Sequence, residues 1–196
     1  MRYNTPPADL FVRNRKKLIA KMSPGTMAVF FSIYYLPDNA DSAYNFTQNS
    51  NFYYLTGIDQ EKCILVLAPD APKDEWKEVL LVIPTNEHIQ IWEGWKYSIE
   101  EAQAASGIDS VRYVDGFESF WRSLIARFDG LYLDFNEHGR NALYYPSSSH
   151  QFAHRIQEEL PGHKLHRAAP ILAELRMHKE PEEIDQMRTA CEITRD

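Results

Sequence analysis

The sequence predicts an α/β domain: a mixed β-sheet flanked by helices. Three observations carry this. Short apolar runs at 26–33, 63–68, 79–83, 111–114 and 130–134 alternate with stretches of helical periodicity. That alternation marks strands covered by helices. The run Cys63-Ile64-Leu65-Val66-Leu67-Ala68 has no polar break, which suits a strand buried on both faces. The run at 79–83 follows it so closely that the two are expected to pair as an antiparallel hairpin, making the sheet mixed.

Composition bounds the function. The 196 residues allow one ordinary domain, or one domain and a fragment of another. Hydrophobic content of 44% and charged content of 25% are globular values, so a full core is within reach. A formal charge of −7 argues against a nucleic-acid partner, which needs a basic face. Cys63 and Cys191 lie far apart in the chain, as expected of reduced thiols in a cytoplasmic protein. The first ten residues lack the long apolar segment of a signal peptide. No apolar run approaches the roughly 20 residues that span a bilayer, so no membrane partner is expected.

The elements follow in order. Thr5 can cap a helix and Pro6 suits its first turn. Phe11, Leu18, Ile19 and Met22 then fall on one face, and Arg13, Arg15, Lys16 and Lys17 read as a solvated one. Ser23-Pro24-Gly25 stops that helix before the strand at 26–33. A loop is expected at 34–39. The polar stretch from Tyr44 to Tyr54 sets amides beside aromatics and reads as a shaped loop, with Gly57 freeing the backbone for a turn. Tyr53 and Tyr54 are expected to split by strand alternation, one inward and one outward. After the hairpin, which Pro84 ends, Ile89-Gln90-Ile91-Trp92 alternates like a strand with one open face. Ser98 caps a helix with Glu100 and Glu101 in its first turn, and Gly107 closes it. A strand at 111–114 follows. Asp115 is expected to cap a helix with a wide apolar stripe reaching Phe128. A strand at 130–134 leads to a loop at 136–146. One of Ser147, Ser148 and Ser149 caps a helix running to Leu160. A short strand at 164–167, a helix at 170–176 and a last helix opened by Pro181 complete the chain.

Several of these pieces together resemble a known family. They are Asp41-Ser42-Ala43-Tyr44, the stretch from Gln48 to Gly57, Ile64-Leu65-Val66-Leu67, Ile91-Trp92-Glu93-Gly94, and the stretch from Leu175 to Ile184. In order and spacing they resemble the N-terminal domain of proline-specific metalloaminopeptidases (aminopeptidase P, or Xaa-Pro aminopeptidase), relatives of prolidase and creatinase. Thr47 stands where many members carry Arg, Glu61 where many carry Pro, and Glu180 where a Ser usually caps the next helix. The resemblance implies an N-terminal domain over 1–175. It also implies that 176–196 is a linker and the first helix of a C-terminal catalytic domain. An amphipathic helix at the chain end with nothing after it is expected of a truncated chain.

The chemistry implied lies elsewhere. His150 and His154 have the i, i+4 spacing of two ligands on one helix face, but Gln151 stands where the metalloprotease motif needs Glu. They read as helix surface. Ser147-Ser148-Ser149-His150 sets nucleophile and base types side by side and reads as a cap. The resemblance implies two divalent metal ions, manganese or zinc, held by two Asp, one His and two Glu of the C-terminal domain. No metal is expected in this chain. It further implies a homo-oligomer, dimer or tetramer, in which this domain walls the mouth of an active site, often a neighbour's. Two residues fall on family positions near that mouth. Asp41 can attract the protonated amine of a peptide substrate. Trp92 can shield the metal centre and pack on a proline ring; the alternative for it is a core tryptophan. The rival functions are a prolidase- or creatinase-type hydrolase domain, and a non-catalytic peptidase-like module for protein binding.

Overall fold

Apolar side chains on both faces of successive short strands force a sheet covered on both sides. In the computed structural model, which describes residues 5–34, 39–40, 45–135, 137 and 147–195, that sheet has six strands. They are β1 (Thr26–Phe31), β2 (Ile64–Leu67), β3 (Glu78–Val82), β4 (Ser110–Tyr113), β5 (Gly130–Leu133) and β6 (Lys164–Arg167), in spatial order β4-β3-β2-β1-β5-β6. β2 pairs antiparallel with β1 and with β3, while β3–β4, β1–β5 and β5–β6 are parallel. Only β2 therefore runs against the rest. The mixed sheet and the β2–β3 hairpin are those the sequence predicts.

The described residues also form eight α-helices: α1 (Ala8–Ile19), α2 (Ser50–Thr56), α3 (Glu87–Glu93), α4 (Ile99–Ser106), α5 (Phe117–Ile125), α6 (Ser148–Glu159), α7 (Ala169–Met177) and α8 (Pro181–Arg195). Strand alternation divides the core into two layers. Ala28, Phe30, Leu65, Leu67, Leu80 and Val82 face α1, α2, α4 and α7. Met27, Val29, Val66, Val79, Leu81 and Leu133 face the aromatic stripes of α5 and α6, where Trp121 meets Phe152 edge-on at 5.2 Å.

The structure corrects four local expectations. The stretch read as a shaped loop becomes helix α2 from Ser50. Asn49 caps it, its side chain accepting from Asn51 N at 2.8 Å and Phe52 N at 3.0 Å, and Gly57 closes it at φ 69°. The amides that compete with a ladder here satisfy the orphan donors of a helix start. Tyr53 and Tyr54 accordingly sit on a helix, Tyr54 buried and Tyr53 edge-on to Phe11 at 5.8 Å. The alternating Ile89-Gln90-Ile91-Trp92 is also helical, in α3, because Asn86 accepts from Ile89 N and nucleates a turn. Pro7, not Thr5, precedes α1; it is extended at ψ 143° and no side chain caps it. Asp115 lies in a 3₁₀ turn, and α5 starts two residues later. The loop expected at 136–146 falls outside the described residues apart from Glu137.

Candidate functional site

The carboxyl ends of β1, β3, β4, β5 and β6 lie along one edge of the sheet, and β2 starts there. Open α/β sheets present ligand sites at that edge. The sequence places its amides there. Gln48 Oε1 accepts from Asn49 N at 2.8 Å and Ile33 N at 3.3 Å. Its Nε2 donates to the carbonyls of Ile58 at 3.1 Å and Gln60 at 2.8 Å. Asn49 and Asn51 donate to Asp134 Oδ2 beyond β5, at 3.4 and 2.9 Å. Arg176 of α7 donates to Asn51 Oδ1 at 2.7 Å. The Gln48–Asn51 motif is thus a bracket tying β1, α2, β5 and α7 together.

A second feature rises from the same edge. Pro84 ends β3, and residues 84–97 form an arm carrying α3 and its aromatic tip. Trp92 is 77% exposed, Ile91 76% and Trp95 46%. The core reading of Trp92 therefore does not hold within this chain. Gly94 turns the arm at φ 80°, ψ −179°, a conformation essentially reserved for glycine. Beyond it the chain dives inward. Lys96 pairs with Glu61, both side chains being almost fully buried. Tyr97 N donates to Gln60 Oε1 at 2.7 Å. The Tyr97 phenol meets Trp95 edge-on at 4.5 Å, and burial pushes its pKa up to about 12.

A third feature is a cleft of about 560 Å³ where α8 lies over α1 and α2, lined by Leu10, Phe11, Tyr53, Tyr54, Arg176 and Met187 among others. Burial, then the nearby Glu183 and Glu180, raise the Tyr54 phenol to about 12, so it stays a neutral hydroxyl.

The remaining predicted positions are quickly placed. Asp41 and its motif lie outside the described residues. Ser147 caps α6, and its Oγ lies 2.8 Å from His150 Nδ1. His154 is exposed one turn on. Among the described residues no three His, Cys, Asp or Glu come together to hold a metal. Cys63 is buried and Cys191 exposed, and neither is in a disulfide; burial raises the Cys63 thiol far from the reactive range. The sequence reading missed Glu61, Lys96 and Gln60, whose partners are separated by more than thirty residues. Local spacing carries no signal for partners so far apart in the chain.

The model of the family described as aminopeptidase P, N-terminal domain, matches residues 11–132. The chain belongs to that family. It is 27% identical over 186 residues to Xaa-Pro aminopeptidase of Escherichia coli K12, covering 94% of this chain and 42% of that protein. Among solved structures, a Bacillus anthracis candidate aminopeptidase P superposes with a TM-score of 0.83 at 30% identity, over 91% of this chain and 42% of the other. Zinc-substituted Escherichia coli aminopeptidase P in complex with product gives 0.74 at 26% identity, over 97% and 43%. This chain thus spans between 30% and 42% of the length of the curated relatives it matches. The likeness to these structures extends over the sheet and its flanking helices. Among the described residues no helix is long and apolar enough to cross a membrane.

Proposed function

We propose that this chain is the N-terminal domain of a cytoplasmic, metal-dependent Xaa-Pro aminopeptidase, whose substrates are peptides with proline second. Residues 1–175 form the domain, and 176–196 lead into a C-terminal catalytic domain that holds two divalent metal ions, manganese or zinc. The chain's task is to build the homo-oligomer, a dimer or tetramer, and to wall the mouth of a neighbouring subunit's active site. Asp41 and Trp92 are the wall residues, the first for the peptide amine and the second for the proline ring. The zinc-substituted relative and the Xaa-Pro name of the curated one support the metal and the substrate class.

The single observation that carries the wall role is the 77% exposure of Trp92 at the tip of an arm on the sheet's carboxyl edge. A tryptophan so exposed wastes its apolar area unless something covers it, and aromatic side chains are the anchors of protein interfaces. A neighbouring subunit that brings its substrate cleft to this tip supplies the cover.

The test is Trp92→Ala. Exposed positions typically cost within about 0.5 kcal/mol, so the urea midpoint of this chain should hardly move. In the full-length enzyme the same change should lower kcat/KM for an Ala-Pro peptide about tenfold, or about 1.4 kcal/mol. Unchanged kcat/KM with an unchanged oligomer would remove Trp92 from the wall.

A further inference from the structure

The arm that carries Trp92 needs something to fix its direction. Its helix, α3, is short (Glu87–Glu93), and its tip residues Ile91 and Trp92 are more than three-quarters exposed, so core packing does not hold that tip. What holds the arm is its base. Lys96 and Glu61 face each other with side chains only 3% and 5% exposed. One residue further on, Tyr97 N donates to Gln60 Oε1 at 2.7 Å. Gln60 is held in turn, because its carbonyl accepts from Gln48 Nε2 at 2.8 Å. Two consecutive arm residues thus grip two consecutive residues of the turn that opens β2, and the grip continues into the amide bracket. Gly94, in its glycine-only conformation, joins this base to α3.

A buried ion pair is weak evidence for stability, because desolvation of both charges offsets their attraction. Its better-attested use is to specify one arrangement over others. An apolar contact at the same place would allow the arm to slide or rotate. A buried carboxylate–ammonium pair resists this, because separating it strands both charges out of water.

We infer that Glu61 and Lys96 are positioning residues: their buried ion pair, with the Gln60–Tyr97 hydrogen bond, sets the direction of the arm and so the place of Trp92. This rests on the wall role proposed above for its consequence in catalysis, but not for its structural content.

The test separates the two. Truncating one partner alone strands a buried charge and risks unfolding, so the variant is the double change Glu61→Met/Lys96→Met, with the charge swap Glu61→Lys/Lys96→Glu as rescue. In this chain the double variant should keep its urea midpoint while amide exchange across 88–95 accelerates at least tenfold, relative to the strands. The swap should restore slow exchange. In the full-length enzyme the double variant should raise KM for an Ala-Pro peptide by the factor seen for Trp92→Ala, with kcat changed less. Exchange in the arm that stays slow overturns the anchor, as does exchange that accelerates equally in the strands. Faster exchange confined to the arm with unchanged kinetics keeps the anchor and overturns the wall role instead.

Discussion

Arg15 takes its charge into the core because three chain segments end there with unpaired acceptors. Its Nη1 donates to the carbonyls of Leu55 at 2.8 Å and Ser106 at 2.9 Å, and its Nη2 to that of Gly107 at 3.4 Å. These are the last carbonyls of α2 and α4, the groups a helix leaves orphaned at its negative end. Nε closes the set on Glu78 Oε2 at 2.7 Å. One guanidinium thus caps two helices and the start of β3. Burial lowers its pKa and Glu78 partly offsets this, but a guanidinium keeps its proton in either case. Removing it leaves a carboxylate and three carbonyls unserved, so Arg15→Met should cost about 3–5 kcal/mol. Arg15→Lys should recover little, since an ammonium lacks the planar fork. Urea melts of the two variants check this; a midpoint shift within about 0.5 kcal/mol for either would mean that water serves those carbonyls. The sequence held the position of Arg15 but hid its role. It lies four residues after Phe11 and three before Leu18, on the apolar face of α1. Its basic neighbours made it read as solvated surface, and residue type outweighed spacing.

At the scale of elements, the start of α8 shows a helix opened without a capping hydroxyl. The Glu180 backbone N–H is served by Glu183 Oε2 at 2.9 Å. This is half of a capping box. The Glu180 side chain is left to pair with Lys17 and Arg13 of α1, and Arg13 also reaches Glu182 at 2.6 Å. The clasp fixes where α8 leaves the domain. The backbone N–H at the helix start, then Arg13, hold the Glu182 carboxyl below its ordinary value of 4.5. A depressed carboxylate gives its full contribution above the unfolded pKa and loses it as pH falls through the folded one. The Arg13–Glu182 part of the clasp should therefore be intact above about pH 4.5 and loosen as pH falls below it. An NMR titration should place the Glu182 midpoint under 4.5, and Arg13→Ala should raise it only part-way, because the larger contribution is the helix's own. A midpoint that ignores Arg13 would dissolve the clasp. Most elements are legible in the sequence: five strands follow from apolar runs, the short sixth at 164–167 is expected after a turn, Ser98 is the cap of its helix, and the α6 cap is narrowed to Ser147, Ser148 or Ser149. The short helices α2 and α3 are not. Seven residues hold too few turns for a period to emerge, so capping asparagines at 49 and 86 decided what four-residue alternation could not.

For the whole molecule, the question is whether the chain stands without the metals proposed for its partner domain. Small domains that depend on metal use ligands to close a core they cannot close by packing. Here packing closes it. One layer joins α1, α2, α4 and α7 to the sheet through residues such as Leu18, Leu55, Leu65 and Leu172, and the other joins α5 and α6 through Trp121, Phe152 and Ile156, all buried. The most exposed apolar residues lie at places that no layer needs: Ile91 and Trp92 on the arm, and Met177 and Ile193 on the last two helices. Covering them with a partner would add stability by linkage, but leaving them bare removes nothing from either layer. Thermal melts of this chain with and without chelator should therefore coincide. The same chain should not cleave Ala-Pro-Ala when manganese is added, because the proposal places the metal ligands in the C-terminal domain. The two measurements guard each other. A fall in Tm on adding chelator would reveal a structural metal. Manganese-dependent turnover that persists in His150→Ala/His154→Ala would place a catalytic site within these 196 residues, against the division of labour proposed here.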